Sequence, residues 1–342
     1  MQLSPRKKAI LSAVIKEYIS SGEPVGSKAL LSSLENSPSS ATIRNEMNDL
    51  CSLGLLFQPH ISAGRIPTDL GFKLYVSSLL KPTDLSPVSK EFISKKLNSS
   101  FFDSASAFKA ASDSLNSLYG LPAVFTFVSD DSAFLKAAKL YKLTDKSAAL
   151  MVFSSDGRFQ NRIIRVPGVI SGNFEMNFRM IAESRLKNKR LIEFSRAHLQ
   201  SLVANIGADP CGLMPVFSEL YDMISSDLSG DTQICGIKNL YKVFGENQAS
   251  DIAELFEKSD LFSLIGESSD EKSVFFGSDT PFRCLSDKVI VWSDCFSGTS
   301  RCGRIGVIGP DRISYDQIVP AVKYAASVLS NRLTETAKDM EE

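Results

Sequence analysis

The sequence predicts a multidomain α+β chain, and three observations carry that prediction. With 342 residues the chain is longer than a single hydrophobic core usually serves, so two or three domains are expected. The apolar spacing runs helical at first, then strand-like, then helical, then strand-like again before a last helix. The stretch Lys81–Pro87, "KPTDLSP", mixes Pro, Ser and Asp as linkers do and sets the first 80 residues apart.

Taken in order, Ser4 and Pro5 suit the N-cap and first position of a helix whose Ile10, Leu11, Val14, Ile15, Tyr18 and Ile19 make one apolar stripe. Arg6, Lys7 and Lys8 fall in its first turn, where the helix dipole disfavours cations. A solvated charge cluster is the favoured reading of these three, with a neighbouring phosphate backbone as the alternative. "SSGEP" ends the helix, Ser27–Leu34 predicts a short second one, and "ENSPS" turns into a third.

That third helix is the most informative stretch. With Ser40 as N-cap, Ile43, Met47 and Leu50 share a stripe, with Cys51 at its edge. The opposite side carries Ala41, Asn45, Asn48 and Ser52, flanked by Thr42 and Arg44. An ordinary solvated helix would show Glu and Lys in numbers. Short amides and hydroxyls with one arginine instead match the edges of base pairs and the phosphates beside them. Glu46 and Asp49 sit nearer the core edge or a turn further along, and Gly54 supplies a C-terminal stop.

Leu55–Gln58 then reads as a short strand. "PHISAGRIPT" reads as a loop tip, with Gly64 free to take positive φ and Arg65 projecting beside it. Thr68 caps a last helix through Phe72, Tyr75, Val76, Leu79 and Leu80. Three helices and a wing over residues 1–80 make a winged helix-turn-helix, and the DNA-contact candidates are Ser40, Thr42, Arg44, Asn45, Asn48, His60, Ser62 and Arg65.

Charge alone does not argue for nucleic acid. The net charge is −1, and residues 1–80 hold eight Lys or Arg against six Asp or Glu. Affinity has to come from local placement and from doubling the domain in a dimer. Six cysteines without a CxxC pair fit reduced thiols in a cytoplasm, Cys295 and Cys302 included. Two histidines argue against a zinc site or a histidine-based triad. "GRIGVIGP" lacks GxGxxG order and a P-loop lysine, so neither an enzyme nor a bound cofactor is expected. No signal peptide or membrane span is predicted.

Beyond the linker, Phe92–Leu118 predicts a serine-rich helix with Phe101, Ala105, Phe108, Ser112 and Leu115 on one face. Strands follow at Ala123–Ser129, in a run ending at Leu143, at Ala148–Phe153 and at Phe159–Val166, with the Asp156-Gly157 turn joining the last two. Helical spacing returns from Phe174 to about Lys258. Strands resume at Ser273–Gly277, Lys288–Phe296 and Gly303–Gly309, ahead of a helix that aligns Ile318, Val322, Ala325, Ala326, Leu329 and Leu333. One α/β domain interrupted by an insertion is expected.

Four long motifs carry a resemblance: "EYISSGEPVGSKALL" at Glu17–Leu31, "SSATIRNEM" at Ser39–Met47, "QPHISAGRIPTDLGFKLYV" at Gln58–Val76 and "GVIGPDRISYDQIV" at Gly306–Val319. Through them the chain resembles the heat-inducible transcription repressor family (HrcA) over nearly its whole length. Ile61 departs from the Thr usual in the wing, and Phe57 stands where a charged residue is usual.

The resemblance implies a winged helix at 1–80, a linker and connecting helix at 81–100, a GAF-like domain in two segments at 101–173 and 259–337, and an inserted, mainly helical dimerisation domain at 174–258. It implies a cytoplasmic, stress-responsive repressor of chaperone operons that binds an inverted-repeat CIRCE-type operator in double-stranded DNA as a homodimer. It also implies the GroE chaperonin as a partner that keeps the repressor active. A winged-helix regulator that senses a small molecule is the alternative.

Overall fold

The computed structural model describes residues 3–34, 39–81, 83–98, 104–127, 133–155, 158–167, 170, 172–205, 210–228, 232–258 and 273–339. Helix α1 (Pro5–Ser21) starts at Ser4, whose Oγ accepts from the Lys7 amide, and stops at Gly22, whose φ of 71° closes the last turn. The predicted second helix is absent. Residues 27–33 form consecutive turns, with Ala29, Leu31 and Ser33 each donating to the carbonyl three residues back. Helix α2 (Ser40–Ser52), strands β1 (Leu56–Phe57) and β2 (Ile66–Pro67), and α3 (Asp69–Leu74) follow, and a π-turn over Tyr75–Leu79 extends α3.

The predicted serine-rich helix divides into α4 (Pro87–Asn98) and α5 (Ser104–Tyr119), and Phe101 lies outside the described residues. A five-stranded antiparallel sheet is made of β3 (Ala123–Phe127), β7 (Thr232–Cys235), β8 (Val274–Phe276), β9 (Lys288–Ser297) and β10 (Ser300–Pro310), in the order β7-β3-β10-β9-β8. Its residues alternate between two cores. Phe125, Val289, Val291, Ile305 and Val307 face α5 and the long last helix α10 (Tyr315–Asp339). Val124, Ile290, Trp292 and Ile308 pack instead with Leu240, Ile252 and Phe256 of α9 (Ile237–Lys258).

A second sheet holds β4 (Leu135–Thr144), β5 (Ser147–Ser154) and β6 (Phe159–Arg165). The Asp156-Gly157 turn between the last two lies outside the described residues. Along β5 burial alternates strictly, and Ala148, Leu150 and Val152 lie under α6 (Gly172–Ile181), α7 (Arg196–Asn205) and α8 (Pro210–Leu228) in one separate core. The opposite face has no described element over it. Across that face run the rows Tyr141–Ala149–Ile163, Lys139–Met151–Asn161 and Ala137–Phe153–Phe159, each with its β5 residue in the centre.

The chain leaves the larger sheet after β3 and rejoins it at β7, so β4–β6 belong with α6–α8, while α9 covers the larger sheet. A strand's alternation shows that it has a buried face; it does not show which helices cover that face.

The amino-terminal elements are seated on the rest through the motif at 306–319. The Tyr315 ring lies 6.2 Å from Phe72, 6.4 Å from Tyr75 and 6.3 Å from Phe276, centroid to centroid. Burying each such ring contributes about 2–3 kcal/mol. Burial, with the Asp316 carboxylate nearby, pushes the Tyr75 hydroxyl up to about 12, as a dry junction requires. Lys73 pairs with Asp279 at 2.6 Å and with Asp69 at 2.8 Å, and Ser278 donates to Asp69 at 3.0 Å. Cys295 and Cys302 are buried and unbridged, and no described helix is long and apolar enough to cross a membrane.

Candidate nucleic-acid interface

Helix α2 begins one residue earlier than the sequence suggests. Ser39 is the N-cap: its Oγ accepts from the Thr42 amide at 3.1 Å and bonds Thr42 Oγ1 at 2.9 Å. Ser40, expected in that role, lies inside the helix, and its Oγ bonds Ser27 Oγ at 2.9 Å. Both hydroxyls of the predicted pair Ser40 and Thr42 are therefore half-buried and engaged within the protein.

Ile43, Met47 and Leu50 are buried as predicted, which turns Ala41, Arg44, Asn45, Asn48 and Ser52 outward. Arg44 has no ion pair, and the Asn45 amide no hydrogen bond, among the described residues. The acids on the same helix are neutralised from α1. Lys7 reaches Asp49 at 2.9 Å and Glu46 at 3.7 Å, and Arg6 lies 3.9 Å from Glu46. The hydrogen bond to Asp49 raises the Lys7 ammonium above its ordinary value. Arg6 and Lys7 thus pair with the acids of α2, while Lys8, Lys16 and Lys28 are exposed and unpaired among the described residues.

The hairpin pairs Leu56 with Pro67 and Phe57 with Ile66. Its tip is closed by Gln58, expected only as the end of a strand, whose Nε2 donates to the carbonyls of Ile61 at 2.9 Å and Ala63 at 3.1 Å. His60 and Ser62 stand exposed at the tip as predicted, on either side of Ile61 at 97% exposure. Thr68 caps α3 by accepting from the Gly71 amide at 3.1 Å.

Arg65 corrects the sequence reading most sharply. It does not project: it is 8% exposed, and its Nη2 donates to Asn48 Oδ1 at 2.6 Å and its Nη1 to the Ala63 carbonyl at 3.2 Å. Its backbone pairs in both directions with Val25, at 2.8 and 2.9 Å. Gly64 is needed for that close approach rather than for a positive φ, since a Cβ there would lie 2.5 Å from the Pro24 carbonyl oxygen and the Val25 backbone. The hairpin root is thereby fastened to α2 and to the loop after α1, and Arg65 is a positioning residue there.

The model of the HrcA protein C terminal domain matches residues 105–319. The chain belongs to the HrcA family. A heat-inducible transcription repressor HrcA of Clostridium perfringens (strain ATCC 13124) is 28% identical over 341 residues, covering 98% of this chain and 99% of that one. One of Rhodopseudomonas palustris (strain BisB18) is 30% identical over 354 residues, covering 97% and 95%. These relatives take in the amino-terminal elements as well, so the HrcA assignment extends over the α2 surface. The crystal structure of a hypothetical protein, at 2.2 Å resolution, shares the fold with a TM-score of 0.71 and 20% identity, covering 98% of this chain and 100% of that one.

Proposed function

We propose that this HrcA-family chain is a heat-inducible transcription repressor whose homodimer lays one α2 in the major groove of each half of an inverted-repeat, CIRCE-type operator. The carrying observation is the outward face of α2, where Arg44 and Asn45 are exposed and unspent and Asn48 stands beside them. On this reading residues 3–80 are the winged helix and the tip residues His60 and Ser62 flank the groove. The five-stranded sheet with α4, α5, α9 and α10 is the GAF-like domain, and β4–β6 with α6–α8 form the dimerisation insert.

The open face of the smaller sheet supports pairing of two copies, because Ile163 is 74% and Tyr141 50% exposed in the same row. Two-fold symmetry then matches an inverted repeat. The GroE chaperonin, which the family resemblance implies, is read as keeping the repressor folded until stress. A gel shift against an inverted-repeat operator and a scrambled duplex, with and without chaperonin, tests this. Retention of the operator alone supports it, and equal retention of both duplexes overturns it.

A second reading, a small-molecule-sensing regulator, draws on a cleft of about 740 Å³ between α3 and β8, lined by Leu74, Phe276, Val319 and Lys323 among others. A metabolite that shifts the melting temperature and releases operator would favour it. Indifference to a whole panel would favour control by temperature and chaperonin.

A further inference from the structure

The two outward amides of α2 are not equivalent. A guanidinium has only donors, so the Asn48 atom 2.6 Å from Arg65 Nη2 must be the carbonyl oxygen. Arg65 lies under the surface and Asn48 on it, so this bond turns the oxygen towards the protein and the Nδ2 group outward. Asn45 has no such partner among the described residues and is free to rotate. We infer that Arg65 sets the base preference of Asn48 without touching DNA, by presenting Asn48 as a donor only.

The consequence is chemical. An amide reads adenine by donating to N7 and accepting from N6, which requires its oxygen and nitrogen to face the base together. A donor-only amide is matched instead by the two acceptors of guanine, N7 and O6. Asn45 keeps the adenine geometry and Asn48 does not, although the residue types are the same.

Stability alone does not explain an arginine at this position. Its Nε is buried with no hydrogen-bond partner, and leaving a charged group's donor unsatisfied is costly. A methionine would fill the space without that cost. What the arginine supplies, besides a bond to the Ala63 carbonyl, is a fixed charge-assisted bond to one end of one amide.

The inference rests on the repressor reading, and the test separates the two. Full-length protein is titrated against inverted-repeat duplexes in which each half-site position is varied through all four base pairs, using wild type, Asn48→Ala, Arg65→Met and Asn48→Asp. Positions whose preference disappears in Asn48→Ala should favour guanine over adenine by about tenfold in wild type. Arg65→Met should bring that ratio towards one in folded protein, since the bond that turns the Asn48 oxygen inward is then gone.

Asn48→Asp keeps a partner for Arg65 but removes the donors, and should abolish the guanine preference with the melting temperature retained. If Arg65→Met fails to fold by circular dichroism, the Asn48→Asp map decides: loss of the preference supports the inference, and an unchanged map overturns it. Adenine preferred at the Asn48 position, or a wild-type ratio in folded Arg65→Met, also overturns it. A wild type that cannot distinguish inverted repeat from scrambled duplex removes the repressor reading and this inference with it. Discrimination that no Asn48 substitution alters removes this inference alone.

Discussion

The outward face of α2 and the open face of the β4–β6 sheet are both surfaces that no described element covers, and they are chemically opposite. The helix face offers Arg44, Asn45, Asn48 and Ser52, with no large apolar side chain among them. The sheet face offers Tyr141, Ile163, Met151 and Phe153, with Lys139, Asn161, Ser147 and Arg165 as polar members of its rows. A polar ridge loses little when water is replaced by base edges and phosphates that return its hydrogen bonds. An apolar face gains from leaving water altogether, and a second copy of the same sheet is self-complementary under a two-fold axis. On the function proposed above the two surfaces meet different kinds of partner, and the two assignments can be broken separately.

The largest effect should come from the sheet. Ile163→Asp places a carboxylate at the β6 end of the apolar row. It is expected to shift sedimentation from dimer to monomer and to lower operator affinity about 100-fold or more, since the second half-site is then no longer bound in the same event. The monomer's own unfolding curve should hardly move, because Ile163 is 74% exposed. Leu150→Ala is the control on the covered face, where Leu150 is fully buried, and should instead cost about 2–5 kcal/mol of stability. A dimeric Ile163→Asp would show that copies pair elsewhere.

The helix face should respond more modestly and with more selectivity. Asn45→Ala is expected to lower operator affinity by about 1–3 kcal/mol with little effect on random DNA. Arg44→Ala should weaken both and reduce the salt slope by about one. Binding curves at three salt concentrations on two duplexes separate the outcomes, and an equal loss on both duplexes for Asn45→Ala would remove it from the base-reading residues.

Local signals were legible in the sequence, and long reaches were not. The stripe Ile43, Met47, Leu50, the caps at Ser4 and Thr68, the glycine stop after α2 and the strands of both sheets other than β7 follow from spacing and backbone chemistry within a few residues, whereas β7 (Thr232–Cys235) falls inside the stretch that reads as helical. Two adjacent serines offer the same cap; Ser39 takes it and Ser40 turns to Ser27, a partner 13 residues away that no local spacing names. The fate of Arg65 depends on an acceptor 17 residues away, beyond any periodic pattern. The residues after Gly26 carry helical spacing, yet they hold only i to i+3 turns. The cover of the smaller sheet was set by packing: β4 to β6 alternate as any half-buried sheet does, and nothing in that period names α6 and α8 as the cover.

The smallest expected effect bears on the cations of α1, where the sequence left two readings open. Lys7 sits beside the α2 face, and its loss would weaken DNA binding slightly on either account. If Lys7 met a phosphate, the weakening would persist whatever stood at position 49. The structure has it bonded to Asp49 at 2.9 Å, so its removal instead uncovers a carboxylate next to the DNA-facing ridge. The double substitution Lys7→Ala with Asp49→Asn distinguishes these, because it deletes both charges at once. Restoration of wild-type affinity and salt slope in the double variant is the expected result. A loss that survives there, accompanied by a shallower slope, would place Lys7 on the DNA backbone and extend the interface from α2 onto the first turn of α1.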